Sequence, residues 1–532
     1  MTEYVISGIP LPLDAPAEEA VAVAAKKLRR AGVRAEKLSL YRRSVDARDK
    51  KDIRLVFAVR FTTAGTLKKE TEQKLRLSRL SAEPLRLVRG SAAMPARPVV
   101  VGMGPCGMFA ALLLAENGYR PLLIERGDDV ENRVRTVEHF IAQGELDADC
   151  NIQFGAGGAG TFSDGKLVTR ISDSRCAYVL EKLHALGAPD EILTMAKPHI
   201  GTDILCGVVA NVAHRITECG GEILYRTTLL DLGSVQGGVR RLVTSRGEIA
   251  ASVTVLAIGH SARDTYSMLL DRGCDITPKD FSVGMRIEHL KSDIDRALYG
   301  DFAGHKALPY AEYNLSYNTK ARGVYTFCMC PGGEVVAGAS EHGGLCVNGM
   351  SAYARNGRNS NSAVCVSVYR SDYGDNPRAA IEFQRTLERA AFTAGGGDYC
   401  APVSTVGDFL SDRACTALGA VQPTYRGGKV RGANLRALFP KELGDTLAAG
   451  LVDFGRKIQG FDAPHALLSG VETRTSAPLR IQRGDDLTML GESDIYPGGE
   501  GAGYAGGITS AAVDGVRIAE KIIAKYKPFA MI

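Results

Sequence analysis

The chain has 532 residues, of which 45% are hydrophobic and 23% charged, with a net charge of +5; this is ordinary for a soluble globular protein of about three domains. No apolar run approaches the ~20 residues that a membrane-spanning helix needs, and no signal segment opens the chain, so we expect a cytoplasmic protein without membrane contact. The 12 cysteines are scattered without CxxC pairs, which predicts free thiols and no metal site.

The first ninety residues form a basic unit, with 20 Lys/Arg against 11 Asp/Glu, a net charge of +9. Their pattern predicts strands at 4–9, 37–42, 53–61 and 85–88 and helices at 18–30 and 67–79. The order βαββαβ is that of a ferredoxin-like domain, so we predict such a domain at 1–90, with a linker at 90–98. Acidic residues lie between its arginines and aromatics are few, so a nucleic-acid partner is the weaker expectation and a protein partner stays open.

The strongest motif of the chain follows this linker, as VVVGMGPCGMFAALLLAENGYRPLLIE at 99–125. An apolar strand runs into Gly102-x-Gly104-x-x-Gly107, a helical run and a second strand that ends at Glu125. This is the dinucleotide fingerprint of a βαβ unit, in which the glycines permit a tight turn, a close approach of backbone to pyrophosphate and close helix packing. Glu125 is able to accept both hydroxyls of an adenosine ribose. The motif alone does not distinguish FAD from NAD.

The rest of the chain predicts that this domain is interrupted. A strand pattern ends in the turn at Gly259, and mixed strand and helix without a nucleotide signature follow from 281 to 463. The pattern then returns to strand, glycine loop and long helix. We predict a dinucleotide-binding domain in two parts, 97–280 and 464–532, with a substrate domain at 281–463. Ser261 and Asp264, just after the turn, have the spacing of a helix cap.

A second glycine-rich segment, NIQFGAGGAGTFSDGKL at 151–167, lacks the preceding strand and following helix of a Rossmann turn. Its small residues still suit close approach of a flat or phosphorylated ligand. We therefore expect ligand contact at Gly157, Gly158 and Gly160.

A third glycine-rich segment lies at 495–523, where a short strand leads to Glu500, a glycine loop and a helix. An acid at this place suits a ribityl hydroxyl, and a helix N-terminus stabilises negative charge on a reduced flavin. Bound NAD would not require this element, so it favours FAD as the cofactor.

Together, the motifs GMGPCG, FGAGGAGTFSDGKL, LAIGHSARDTY, YTFCMCPGG and YPGGEGAGYAGGITSAAVDG resemble, in the same order, those of a bacterial family of uncharacterised FAD-dependent dehydrogenases in the glutathione-reductase-like FAD/NAD(P)-binding superfamily. The resemblance runs from the N-terminal domain to the last helix. It implies an α/β fold: a Rossmann-type FAD-binding domain interrupted by a mixed α+β substrate domain and preceded by a small α/β domain. It also implies tightly bound FAD.

Residue by residue, the resemblance implies a flavin site of known layout. The three fingerprint glycines would contact the pyrophosphate, and Glu125 would contact the ribose. Arg126 and Arg133 would lie within reach of the pyrophosphate or the ribose. Leu229 would hold the adenine through its backbone, and the turn at Gly259 would lie near the nucleotide. The ribityl chain and the isoalloxazine would meet Glu500, Gly506, Gly507 and Ile508.

Lys166 and Cys330 are the candidate catalytic residues. Lys166, beside the second glycine segment, either stabilises an anionic flavin or substrate or is an ordinary surface lysine. Cys330 forms a CxC pair with Cys328 that is able to pass electrons to a flavin. However, a disulfide between such close neighbours would be strained, and the apolar neighbours favour buried structural thiols.

These observations predict an FAD-dependent oxidoreductase that transfers a hydride between flavin N5 and an unidentified small organic substrate. The sequence shows no second complete NAD(P)-binding unit, so NAD(P)H as a donor would bind only transiently over the flavin. Two alternatives stay open, a flavin-bound scaffold whose N-terminal domain docks a partner, and an RNA-modifying flavoprotein.

Overall fold

The N-terminal unit is a four-stranded antiparallel sheet with strand order β2–β3–β1–β4. In this computed structural model, which describes residues 1–80 and 85–528, its elements are β1 (Thr2–Pro12), α1 (Ala17–Arg30), β2 (Glu36–Asp46), β3 (Arg54–Thr63), α2 (Lys69–Leu75) and β4 (Leu77–Leu80). The element order agrees with the predicted βαββαβ order. The last strand, however, was predicted wrongly at 85–88, because helix α2 ends early at Arg76, which has a left-handed φ of 52°.

The segment predicted as a linker is tied to the end of the last helix of the chain. Gly90 donates its N–H to the carbonyl of Ile523 (2.8 Å), and Ala92 donates to Lys525 (3.2 Å). A Cβ at Gly90 would lie 2.3 Å from the backbone of Lys525, so only glycine permits this approach. Backbone hydrogen bonds therefore fasten the linker to the end of the helix at 508–525.

The next region begins with the strand–helix–strand unit that the fingerprint predicts. Its elements are β5 (Val99–Val101), α3 (Pro105–Glu116), β6 (Leu122–Ile124), α4 (Val130–Gln143), α5 (Arg175–Ala185), α6 (Thr202–Glu218), β7 (Glu222–Leu224), β8 (Leu229–Gln236), β9 (Val239–Thr244), β10 (Gly247–Ala251), β11 (Thr254–Leu256) and α7 (Arg263–Asp271). Strands β7 and β8 are separated at Arg226, which has a φ of 51°.

The remaining elements build the second half of the molecule. They are β12 (Ile276–Pro278), β13 (Phe281–Leu290), α8 (Lys291–Tyr299), β14 (Ser316–Asn318), β15 (Gly323–Cys330), β16 (Glu334–Ala337), β17 (Val347–Met350), β18 (Asn359–Val368), α9 (Arg370–Tyr373), α10 (Pro377–Ala394), β19 (Ala401–Thr405), α11 (Val406–Leu410), β20 (Val430–Gly432), α12 (Lys441–Lys457), β21 (Leu467–Glu472), β22 (Leu479–Ile481), β23 (Ile495–Pro497) and α13 (Ile508–Lys525).

A five-stranded parallel sheet, in the order β23–β11–β5–β6–β7, unites two distant parts of the chain. Helix α3 is apolar on all sides and buried from Cys106 to Ala115. Helix α13 packs closely on it, since a Cβ at Gly515 would lie 2.1 Å from the carbonyl oxygen of Cys106. The carboxyl ends of the central strands therefore meet at one edge, where ligands bind in open parallel sheets.

A seven-stranded mixed sheet, in the order β14–β15–β18–β13–β21–β19–β20, forms the other large layer. Strand β21 lies beyond the predicted boundary at 463, yet it pairs with β13 and β19 inside this sheet. In the described ranges no helix combines the length and the apolarity that crossing a bilayer requires, and no cluster of three metal-ligating side chains is found there.

Candidate functional site

A cavity of about 320 Å³ lies at the carboxyl ends of β5, β6 and β11. Its wall includes most of the predicted cofactor-binding residues, namely Gly102, Gly104, Glu125, Arg126, Gly158, Gly160, Leu229, Gly259, Glu500, Gly506, Gly507 and Ile508. Gly107, Arg133 and Gly157 lie behind this wall. The cavity thus brings together three glycine-rich segments that are far apart in sequence.

Each of the three fingerprint glycines is required for a different structural reason. Gly102 has a φ of 95°, and a Cβ there would lie 2.4 Å from the carbonyl oxygen of Ala257. At Gly107 a Cβ would lie 1.9 Å from the carbonyl oxygen of Gly102, so this glycine lets α3 pack on the turn. At Gly104 the nearest atom would be the Cα of Gly158, at 4.0 Å. Gly104 therefore leaves space on the cavity side.

The loop 151–167 lies directly against this turn. Gly157 donates its N–H to the carbonyl of Met103 (2.9 Å), and a Cβ at Gly158 would lie 2.9 Å from the Cα of Gly104. Gly157 itself faces the protein, since its Cβ would meet Thr161 and Val209. Two glycine motifs of the sequence therefore pack back to back, and Gly158 and Gly160 form the cavity surface.

Glu125 is buried and organises both loops. Its carboxylate accepts backbone N–H groups from Met103 (2.7 Å), Gly127 (2.9 Å) and Gly155 (2.9 Å). A carboxylate offers about four lone-pair sites, so acceptor capacity is left on the cavity side. Glu125 is thus a structural tie as well as a candidate ligand of ribose.

The expectation that Arg133 reaches ribose or phosphate is wrong. Its side chain is 0% exposed, and it donates to four backbone carbonyls of the loop, those of Asn151, Ile152, Gly155 and Ala156, at 2.6–3.2 Å. Burial lowers the pKa of Arg133 to about 10. Arg133 holds the loop in shape, a role that only the folded loop reveals.

Arg126 does line the cavity, stacked over the ring of Phe154 at 4.6 Å from the ring centroid. It donates to Asp264 at 2.6 and 2.8 Å. The predicted helix cap at Ser261 and Asp264 is wrong, because α7 begins after Ala262 without a side-chain cap. Ser261 instead donates to Gln153 (3.2 Å), and both side chains lie at the cavity.

Two helices open onto the cavity with uncapped N-termini. Gly104 precedes α3 and Gly507 precedes α13, and neither helix has a side-chain cap. The free N–H groups of a helix start favour negatively charged ligand atoms. A Cβ at Gly259, Gly506 or Gly507 would meet no atom within 4 Å. These positions therefore border empty space that a ligand is able to fill.

His260, directly after the turn at Gly259, is a further residue of the site. It lines the cavity and is 9% exposed. Its Nδ1 lies 3.5 Å from Glu500 Oε2, while its buried Nε2 has no hydrogen-bond partner among the described residues. A buried polar atom without a partner is costly, so this nitrogen is available to a ligand.

The opposite wall is built from side chains. Phe327, Cys328, Asn348, Arg474 and Thr475 reach the cavity from the region of the seven-stranded sheet. Apart from the CxC pair, the residues of this wall were not predicted, because strands β15 and β17 carry no nucleotide motif.

Lys166 lies in the cavity wall beside a buried ion-pair cluster. Its Nζ contacts the carboxylate of Asp164 and the carbonyl of Met329, and Arg355 Nε donates to Asp164 (2.9 Å). Burial alone would raise the pKa of Asp164, but the charges of Lys166 and Arg355 hold it below its ordinary value. Asp164 and Lys166 are therefore both charged at neutral pH. Lys166 provides a positive charge at a fixed place in the cavity wall.

Cys330 does not line the cavity; its side chain is 0% exposed. Of the CxC pair, the cysteine that lies in the wall is Cys328. The pairing of β15 with β18 shifts register between Phe327 and Cys330, and Cys328 has a φ of 45°. In a regular strand the two cysteines would share one face, but this bulge adds a residue to the strand and separates Cys328, in the wall, from Cys330, behind it.

The comparisons with known proteins agree with a flavin site. A family model described as "FAD-dependent protein, C-terminal domain-like" matches residues 280–475. A protein of Clostridium beijerinckii, described as "Uncharacterized protein", is 46% identical over 513 residues, which cover 94% of this chain and 95% of that protein. The chain belongs to the family of this clostridial protein. FAD is its cofactor.

Among solved structures, NikD, described as an unusual amino acid oxidase, is 12% identical with a TM-score of 0.37 and covers 82% of this chain and 95% of its own. Glycine oxidase from Geobacillus kaustophilus is 10% identical with a TM-score of 0.33, covering 80% and 92%. L-amino acid deaminase from Proteus vulgaris is 12% identical with a TM-score of 0.34, covering 84% and 94%. At TM-scores this low, the likeness carries no argument about this chain.

The residues of the cavity fit FAD on structural grounds. Glycines border open space along one wall of the cavity, and two uncapped helix N-termini face the cavity. The Nε2 of His260 has no hydrogen-bond partner among the described residues. These features suit the phosphates and the polar edge of a dinucleotide.

Proposed function

We propose that this protein is an FAD-dependent oxidoreductase that transfers a hydride between the flavin and an unidentified small organic substrate. The observation that carries the proposal is a single cavity with a backbone wall on one side and a wall of reactive side chains on the other. Bound FAD supplies the hydride chemistry at N5, while the protein orients and tunes it.

The backbone wall would hold the two ends of the cofactor. Gly102, Gly104 and the start of α3 would take the pyrophosphate, and Glu125 the adenosine ribose. Leu229, in the wall where β8 begins, would lie against the adenine. Because Glu125 already binds three N–H groups, ribose binding and loop geometry depend on the same carboxylate.

The isoalloxazine would lie between the loop 155–166 and the start of α13, facing the seven-stranded sheet. Both segments border the same cavity. The N-terminus of α13 would stabilise negative charge at the pyrimidine edge of the reduced ring. Lys166 would add a positive charge, and His260 Nε2 would bind the cofactor or the substrate.

The substrate would enter from the side-chain wall. Phe327 and Val168, both in this wall, are 46% and 55% exposed, so the rim is apolar and suits an organic molecule. NAD(P)H, if it is the donor, would use the same opening and leave before the substrate binds.

The proposal is tested by purifying the protein and measuring its flavin. The protein should be yellow and release FAD, rather than FMN or NAD, on denaturation. Stopped-flow absorbance with NADH, NADPH and a metabolite panel should then show reduction of the bound flavin by at least one of them. A colourless protein that takes up NAD instead would refute the cofactor site. A flavin that no donor reduces would favour a scaffold role, and salt-dependent RNA binding an RNA-modifying one.

A further inference from the structure

Cys328 and Cys330 are brought together by the bulge in strand β15. In a regular strand, side chains two residues apart share a face but are separated by about 7 Å along the chain. Here the side chains of Cys328 and Cys330 share a hydrogen bond, and Cys330 Sγ also donates to the carbonyl oxygen of Cys328 (3.3 Å). The positive φ of Cys328 turns the chain at this point. The pair therefore has one sulfur in the cavity wall and the other directly behind it.

Arg286 holds this turn from beneath. Its Nη2 donates to the carbonyl oxygen of Cys328 (2.6 Å) and lies 3.6 Å from Cys330 Sγ. Its other donors bind Glu472 (3.0 Å) and Asn361 (2.8 Å), all in the buried sheet. A fixed guanidinium thus faces both cysteines.

The charges around the pair favour unequal protonation. A hydrogen bond from Cys330 lowers the pKa of the Cys328 thiol below its ordinary value, and Arg286 and Lys166 add to this effect despite burial and the negative charge of Asp164. The pKa of Cys330 is raised correspondingly, first by its bond to Cys328 and then by burial. A thiolate at the cavity and a thiol behind it is the protonation state from which a dithiol is oxidised.

We propose that Cys328 and Cys330 form a redox-active dithiol that exchanges an electron pair with FAD in the cavity. This inference depends on the cofactor position given under the proposed function. In the oxidative direction, an S–S bond forms between Cys328 thiolate and Cys330 thiol, which releases two electrons and the one proton of Cys330. Both electrons and the proton pass to oxidised FAD, so the negative charge of the thiolate ends on the reduced flavin. The reverse step opens the disulfide.

The experiment is an anaerobic titration of the holoenzyme with dithionite, after mild oxidation with ferricyanide and measurement of the FAD content. Wild type should consume about four electrons per FAD, about two for the flavin and about two for the disulfide. Cys328→Ser and Cys330→Ser should each consume about two. Cys219→Ser, a control at the end of α6 and outside the cavity, should behave as wild type.

A second readout does not depend on the flavin. Mass spectrometry of the tryptic peptide 323–355, after equilibration in glutathione buffers and alkylation, should show an oxidised form that lacks two hydrogens and disappears in both serine variants. Wild type at full FAD occupancy that takes up only about two electrons, with no oxidised peptide, would overturn the inference, even if the variants fail to fold. A protein that binds no FAD would instead refute the proposed function.

Discussion

The two walls of the cavity are built in opposite ways. One wall is backbone, from three glycine-rich segments and the turn at Gly259, and Gly104, Gly259 and Gly507 leave open space there. The other is side chain, with Lys166 and Cys328 placed by a buried ion pair and a strand bulge. The backbone wall suits a cofactor whose phosphates need N–H groups, and the side-chain wall suits selection of substrate and chemistry. We therefore expect substitutions in the backbone wall to alter FAD binding, and substitutions in the side-chain wall to alter reactivity.

The largest effect is expected from Gly104→Val. A Cβ at this position meets only Gly158, at 4.0 Å, so the protein should fold, but the branched side chain would occupy the space of the pyrophosphate. FAD binding should weaken by about 3 kcal/mol or more, roughly a hundredfold in Kd. Titration of apo-protein with FAD measures this. Gly65→Val, where a Cβ meets no atom within 4 Å, is the control; equal loss in both variants would contradict the assignment.

Glu125→Ala should come next. Lost ribose contacts should weaken FAD by about 1–3 kcal/mol. Unlike Gly104→Val, this variant should also lower the free energy of unfolding of the apo-protein, because three buried N–H groups lose their acceptor. Urea unfolding of both apo-proteins separates the two effects. Weaker FAD binding with unchanged apo-protein stability would mean that the carboxylate does not organise the loops.

Lys166→Met probes the side-chain wall. Asp164 keeps its bond to Arg355, so the fold should persist and FAD should still bind. Loss of a positive charge should make the reduced anionic flavin less stable and lower its midpoint potential by about 30 mV, equivalent to ~1.4 kcal/mol. Spectroelectrochemistry measures this. Lys197→Met is a matched control, a more exposed lysine 3.6 Å from Glu312; an equal shift there would contradict a local role for Lys166.

A smaller effect concerns pH. Since the pKa of Cys328 is lowered, its thiolate should persist as the pH falls below the ordinary thiol value of about 8.5. Alkylation of the apo-protein by iodoacetamide at neutral pH should therefore modify Cys328 before the buried cysteines, as peptide mass spectrometry would show. Bound FAD should slow this reaction. Equal alkylation with and without FAD would place the cofactor away from this wall.

The smallest effect on the flavin is expected from removal of the N-terminal unit. None of the described residues of 1–90, which leave out 81–84, lies in the cavity wall, although Arg43 pairs with Thr194 through its backbone. A chain beginning at Ser91 should therefore remain yellow, with FAD affinity within about threefold of the full chain, or ~0.6 kcal/mol. Loss of FAD from a truncated protein that stays folded would make the N-terminal unit part of the site.

The backbone wall was accessible from the sequence because each of its parts is local. Gly102, Gly104 and Gly107 act within one strand–turn–helix unit, and Glu125 ends the next strand, so spacing alone carries the geometry. Gly507 and the helix at 508–525 are likewise marked by a glycine before an apolar run. The predicted order of elements in the first ninety residues held for the same reason.

Only the tertiary structure decided the other wall and the exceptions to the first. Arg133 follows Glu125 closely in sequence, yet loop folding buries it against carbonyls. Cys328, rather than Cys330, lies in the wall because a one-residue bulge changes which face each side chain occupies. Strand β21 joins the seven-stranded sheet through partners more than sixty residues away. Such features depend on contacts between distant segments, and no local pattern in the sequence records them.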